Sequence, residues 1–171
     1  MRGYKIAKDK ERRGICVSND CGEVIGEIYK TSKRGLEKEN NFLFSFRSQE
    51  VSFGIQKGRI LFAAYRYSIS GMEFIFKDNP LKSLLYFCVE GEVRGDAVKL
   101  EENWNKEIEV KTKKKELAVI RPFTWKTGAD LSVSEDVTEE SFLFPLIVLT
   151  YFLYKVYKDE TAFIDGLIEW M

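Results

Sequence analysis

The sequence predicts a mainly β protein, a closed antiparallel β-barrel of roughly 10–12 strands wrapped around a hydrophobic C-terminal helix. Three observations predict it. Short runs of Val, Ile, Phe and Tyr, separated by Gly, Asn, Asp and Lys, fill residues 1–134 at the spacing of a sandwich or barrel. The run FLFPLIVLTYFLY, residues 142–154, is apolar on every side of a helical wheel except at Thr150. Such a helix has no face for water, so it belongs in a bilayer or inside a protein core. As a helix the run rises about 20 Å, against a hydrocarbon thickness of about 30 Å, and that length favours the core. Closing the strands around it removes the exposed edges that would otherwise pair between molecules.

Taken in order, residues 3–8 and 14–18 read as the first two strands, and Asn19-Asp20-Cys21-Gly22 as a tight turn into a third strand over 23–30. Val24, Gly26 and Ile28 share one face of that strand. Residues 31–40 are polar and read as a loop. Residues 41–47 alternate cleanly, with Phe42, Phe44 and Phe46 on one side. Residues 51–56 and 59–66 suggest a hairpin closed by Lys57-Gly58, and 67–77 a strand with Met72, Phe74 and Phe76 on one face. Asp78-Asn79-Pro80 breaks the pattern, because Pro cannot donate to a ladder. Residues 84–89 are apolar on both faces and read as a central strand. Strands over 92–101, 107–112, 116–121 and 129–133 follow, with Gly91 and Gly95 at turns or bulges and an edge-like segment beginning at Pro122.

SEDVTEES, residues 134–141, reads as a helix start: Asp136 or Thr138 can cap, and Glu139 and Glu140 suit the positive end of the dipole. The central helix is expected over 138–158. Pro145 then sits in the first turn if the helix starts late, or kinks it if the helix starts at Thr138. Residues 160–171 fit a short final helix or a docked tail. The whole of 1–171 reads as one domain.

Composition excludes more than it identifies. Lys plus Arg number 27 and Asp plus Glu 27, so no basic excess favours nucleic acid. His is absent, which removes Ser-His-Asp and Cys-His nucleophile systems and any His-ligated metal site. Cys16, Cys21 and Cys88 make no disulfide framework and read as free thiols of a reducing cytosol. Residues 1–14 have no apolar core and read as a charged strand, not a signal peptide. Trp104, Trp125 and Trp170 could stack on ligands, but Trp in a β-rich protein is expected to cover a core or rim. Glu101 and Glu102 are adjacent on a strand and so point to opposite faces, which prevents them from sharing a catalytic site.

Taken together, the segments CVSNDCGEVIGEIYK, LLYFCVEGEVRGDAVKL and SFLFPLIVLTYFLYKVYKDE resemble, in their order, elements of the tubby C-terminal-like superfamily. That superfamily includes the plant LURP-one-related proteins and the phospholipid scramblases. The three segments are similar to its early hairpin, its glycine-punctuated meander and its barrel-threading helix. In size and style the chain is closest to the bacterial members. It lacks the calcium-binding segment and Cys-rich palmitoylation tract of animal scramblases. The resemblance implies a barrel around a C-terminal helix and a binding role.

The expected function is therefore a non-enzymatic binding or interaction module, cytoplasmic and peripheral at the membrane, with anionic lipid or a protein as partner, no nucleic acid and no cofactor or metal. Lys111, Lys113, Lys114 and Lys115 at a predicted hairpin tip form the candidate contact for an anionic headgroup. The same residues also fit a solubilising turn. Lys10, Arg12 and Arg13, and Lys30, Lys33 and Arg34, form lesser basic groups. Two other readings stand beside this one: a β-rich domain anchored by one C-terminal transmembrane helix, and a small-ligand barrel or enzyme using Asp, Glu or Lys.

Overall fold

The computed structural model describes residues 1–31 and 41–169. Among them are twelve strands and one helix: β1 (Arg2–Asp9), β2 (Gly14–Asn19), β3 (Val24–Thr31), β4 (Asn41–Phe46), β5 (Gln49–Lys57), β6 (Ala64–Ile69), β7 (Met72–Asp78), β8 (Cys88–Val93), β9 (Asp96–Glu102), β10 (Ile108–Thr112), β11 (Glu116–Pro122), β12 (Gly128–Val133) and α1 (Leu143–Glu169). Each strand pairs antiparallel with its neighbours in the chain, and β1 closes the barrel on β12 from Arg2↔Val133 to Ala7↔Gly128.

Strand alternation fills the lumen from all sides. Tyr4 and Ile6 of β1, Phe44 and Phe46 of β4, Tyr65 and Tyr67 of β6, Leu100 of β9 and Ile120 of β11 are buried. The helix occupies the space they enclose. From Phe144 to Tyr157 every position is buried except Lys155, which is half-buried, so all faces of the helix are covered. Its partners lie right round the wall. Phe144 packs edge-on against Tyr4 of β1 at 4.9 Å, Phe152 lies 5.0 Å from Phe42 of β4, and the Tyr151 hydroxyl accepts from the Gly128 N–H of β12 at 2.8 Å. Among the described residues no helix is long and apolar enough to cross a membrane.

Several local expectations change. Residues 67–77 are not one strand: Ser70 and Gly71 both take positive φ (51° and 74°) and close a two-residue hairpin between β6 and β7. Positive φ at both central positions matches the right-handed twist of the flanking strands. Residues 84–87 are not a central strand. The Asn79 side chain accepts from the N–H groups of Leu81 and Lys82 at 3.0 Å, and Ser83 Oγ lies 2.7 Å from both Asn79 O and Cys88 O, its one proton serving this pair of carbonyls. These bonds fold 79–87 into a turn-rich loop that leaves Leu81, Leu84 and Leu85 exposed. Residues 59–63 are loop as well, and β6 begins at Ala64.

The helix starts at Leu143, later than residue 138, with Pro145 in its first turn where a missing N–H does no harm. The cap is Ser141, whose Oγ accepts from Phe144 N at 3.2 Å. Asp136 instead pairs with Lys115, and Glu139 and Glu140 pair with Arg47. The helix runs on unbroken to Glu169, so residues 160–169 are neither a separate short helix nor a docked tail. Of the loop expected over 31–40, Thr31 instead ends β3, and the remainder, with Lys33 and Arg34, lies outside the described residues, as does Trp170.

Alternation of direction sorts the connections into two ends. One end carries tight turns at 20–23, 47–48, 70–71, 94–95 and 113–115, together with the segment that leads into α1. The other carries the longer loops 58–63, 79–87, 103–107 and 123–127, the loop 10–13, and the C-terminal half of α1 as it emerges.

Candidate functional site

The loop end holds the features that packing alone does not require. Ile60, Leu61, Leu81, Leu84, Leu85, Trp104 and Trp125 are all exposed there, although large apolar side chains normally avoid water. Trp104 and Trp125 are 102% and 91% exposed at the tips of their loops, so they cover neither core nor rim. Arg12, Lys82, Lys106 and Lys126 stand on the same set of loops. Lys126 sits 4.9 Å over the ring of Phe123.

Beneath the tips, charged groups tie the loops to the helix. Arg59 is 3% exposed; its Nη1 lies 2.5 Å from Asp78 Oδ2, its Nε 2.8 Å from Glu160 Oε2, and its guanidinium 4.9 Å over the Tyr157 ring. Asp78 Oδ2 also accepts from Ala63 N at 2.7 Å. Further round, Glu102 accepts from the Tyr154 hydroxyl at 3.0 Å and pairs with Lys158 at 2.9 Å, while the Tyr157 hydroxyl donates to Ser83 O at 2.9 Å. Burial first, then the charge of Glu102, raises the Tyr154 hydroxyl above its ordinary range, so it stays a donor. These bonds tie the loops 58–63 and 79–87 and the end of β9 to the helix.

Glu101 and Glu102 do point to opposite faces. Glu102 enters the barrel mouth, and Glu101 lies outside among Lys82, Lys99 and Lys111 at 3.2, 3.0 and 3.5 Å. Burial works against its charge, but hydrogen bonds from Lys99 and Lys82 prevail and hold the carboxyl at about 2. Cys88 lies next to it, and burial pushes that thiol up to about 11, far from a nucleophile at neutral pH. All three cysteines are free, Cys16 and Cys88 buried and Cys21 exposed. No group of three or more metal-ligating side chains occurs among the described residues.

Of the four lysines singled out in the sequence, Lys113, Lys114 and Lys115 form the turn between β10 and β11, the expected hairpin tip. Lys111 lies within β10, paired with Glu109 at 2.5 Å. Lys115 pairs with Asp136 at 2.6 Å. Lys113 and Lys114 stand at a tight turn at the opposite end from the exposed tryptophans. Of the lesser groups, Arg12 bonds Glu27 at 2.9 Å, and Lys30 faces an open cavity of about 790 Å3 beside the helix. The rim could have been sought in the sequence through the pattern apolar residue plus Lys or Arg within a loop (RIL, PLKSLL, NWNK, TWK). That pattern gains meaning only once the topology brings the loops together. No family model matches the chain, and comparison with the curated proteins and with the solved structures finds no similar one.

Proposed function

We propose that the chain is a non-enzymatic, tubby-like binding module that docks by its loop end on an anionic membrane surface. The barrel architecture around a C-terminal helix, which the resemblance implies, supports this reading. Because the helix fills the lumen, a large ligand has to be met at an end of the barrel. The observation that carries the reading is the clustering of exposed Trp and Leu side chains on loops that also bear Lys and Arg. Trp is favoured at the bilayer interface, where its ring is buried and its N–H stays wet, and Leu gains by leaving water. Nearby lysines add about 1 kcal/mol each at an anionic leaflet. Short apolar spikes on loop tips suit the outer few ångströms of a bilayer better than they suit a groove in a protein.

The test is co-sedimentation of the full chain with phosphatidylcholine vesicles, with and without phosphatidylserine. Binding to the anionic vesicles is expected, weakened by salt, together with a blue shift of Trp emission. Trp104→Ala with Trp125→Ala should reduce it by about tenfold or more, since two large apolar groups are removed. Lys113→Glu with Lys114→Glu, at the other end, should change it little. Equal binding by the double Trp variant, or no binding to anionic vesicles at all, would remove the proposal.

A further inference from the structure

The cavity of about 790 Å3 at the loop end lies between α1 and the inward face of β2–β4. Its position follows from register. Ile28 is buried in the lumen, and Lys30, two residues on, shares its face, opposite Phe42 in β4. A lysine thus stands on a face of the wall that is otherwise apolar. Across the gap, Phe152, Lys155, Val156 and Asp159 line the cavity from one side of the helix, at the spacing that stacks residues along a single face. Lys155 is the one ionisable lysine or acid in the stretch Phe144–Tyr157 and is half-buried.

These two lysines differ from the ion-paired cations beside them. Arg59 is committed to Asp78 and Glu160, and Lys158 to Glu102. Among the described residues, the Lys155 ammonium meets only the Thr127 hydroxyl, at 3.4 Å, and the Tyr151 ring, 6.0 Å away. No ion pair is formed by either Lys30 or Lys155 among those residues. A half-buried cation without an anionic partner has an unmet electrostatic need that a ligand can supply. Ile15, Phe42, Phe152 and Val156 give the cavity an apolar floor, while Arg59 and Glu160, paired with each other, and Thr127 and Asp159 also line it. Cavities of this size suit small ligands.

We propose that this cavity binds a single-chain amphiphilic monoanion, a long-chain carboxylate, with its head between Lys30 and Lys155 and its chain along the apolar floor. Asp159 lines the same cavity one helical turn from Lys155, and its charge disfavours a dianion. The cavity shares Ile60 with the loop end but includes neither Trp104 nor Trp125, so its occupancy does not depend on membrane docking.

The test is calorimetric titration of the full chain with sodium dodecanoate below its micellar concentration, beside dodecanol and dodecyltrimethylammonium. About one equivalent of dodecanoate should bind, with dodecanol about tenfold weaker and the cation weaker still, since a charge-assisted contact is lost. Lys155→Met should weaken dodecanoate by about tenfold while leaving dodecanol unchanged. Lys30→Met, a change at a solvent-accessible strand position, should weaken it by several-fold and decides the matter if the helix variant does not fold. Trp104→Ala with Trp125→Ala should leave it unchanged. Dodecanol or the cation binding as tightly as dodecanoate, indifference to both lysine changes, or loss on removing the tryptophans would overturn the assignment.

Discussion

Asp78 has a side chain with no exposed surface, yet its carboxylate answers to the Arg59 guanidinium, the Ala63 N–H and, at 3.4 Å, the Tyr65 hydroxyl. Replacing it by Ala strands a buried guanidinium and a buried backbone donor. The expected loss is about 3–5 kcal/mol, the usual cost of breaking one side of a buried ion pair, and chemical denaturation of Asp78→Ala measures it. An unchanged midpoint would mean that Arg59 finds Glu160 and water sufficient. Glu101 makes a second prediction, through pH. Its folded value, about 2, is depressed from the ordinary 4.5, so its contribution to stability is full above about 4.5 and is lost as the pH falls towards 2. Urea midpoints measured across that window should fall for the wild type and fall less steeply for Glu101→Gln. Parallel curves would show that other carboxylates set the acid limb. Gly128 is constrained differently. Its φ is 140°, and a Cβ there would sit 2.3 Å from Ile6 O, a backbone atom in the paired strand that cannot give way. Gly128→Ala should therefore lower the melting temperature by several degrees, as overpacking commonly costs about 1–3 kcal/mol.

At the scale of elements, the helix and the barrel depend on each other. Between Phe144 and Tyr157 every helix position but Lys155 is buried, and the wall presents Tyr65, Tyr67, Phe53 and Phe76 to the space it fills. A chain ending at residue 142 leaves both surfaces without a partner. It is expected to be recovered as aggregate, or as a compact state that binds hydrophobic dyes, and a monomeric folded barrel in size-exclusion chromatography would contradict this. The same dependence explains what the sequence made legible. An apolar run short for a bilayer and lacking a polar face favours a core over a membrane span, so the helix in its barrel is the preferred reading, with a C-terminal membrane anchor left beside it. Clean alternation in Phe42, Phe44 and Phe46 placed β4 for the same reason. What could not be read was set by local side-chain chemistry. Ser70-Gly71 is a weaker turn signal than Asn-Gly, and Leu84-Leu85 carries strand composition while Asn79, Pro80 and Ser83 fold it into a loop. The exposed rim was illegible for another reason. Ile60, Leu85, Trp104 and Trp125 are scattered over 66 positions of sequence, from 60 to 125, and only strand alternation gathers them at one end.

For the molecule as a whole, closure is the demanding step. Eleven of the twelve strand contacts join neighbours in the chain, and the twelfth joins β1 to β12, with Arg2 opposite Val133. Until that pair forms, β1 and β12 are open edges, and until α1 is in place the lumen is an unfilled apolar surface. Neither hairpin zipping nor helix formation is therefore stable alone. At 27 residues the helix is not short, but its N-terminal half, apolar on every face, has no place in water outside the barrel. Unfolding should consequently be one transition, with the helix signal of far-UV circular dichroism and the near-UV signal of the buried tyrosines superimposing at every denaturant concentration. Folding should be slow for the chain length, in the millisecond to second range or beyond, because the closing pair bridges nearly the whole strand region before it is rewarded by any contact. Stopped-flow refolding gives the rate. A helix signal that persists after the tyrosine signal is lost, or refolding in microseconds, would show that the helix and the hairpins stand on their own, contrary to the mutual dependence of core and wall.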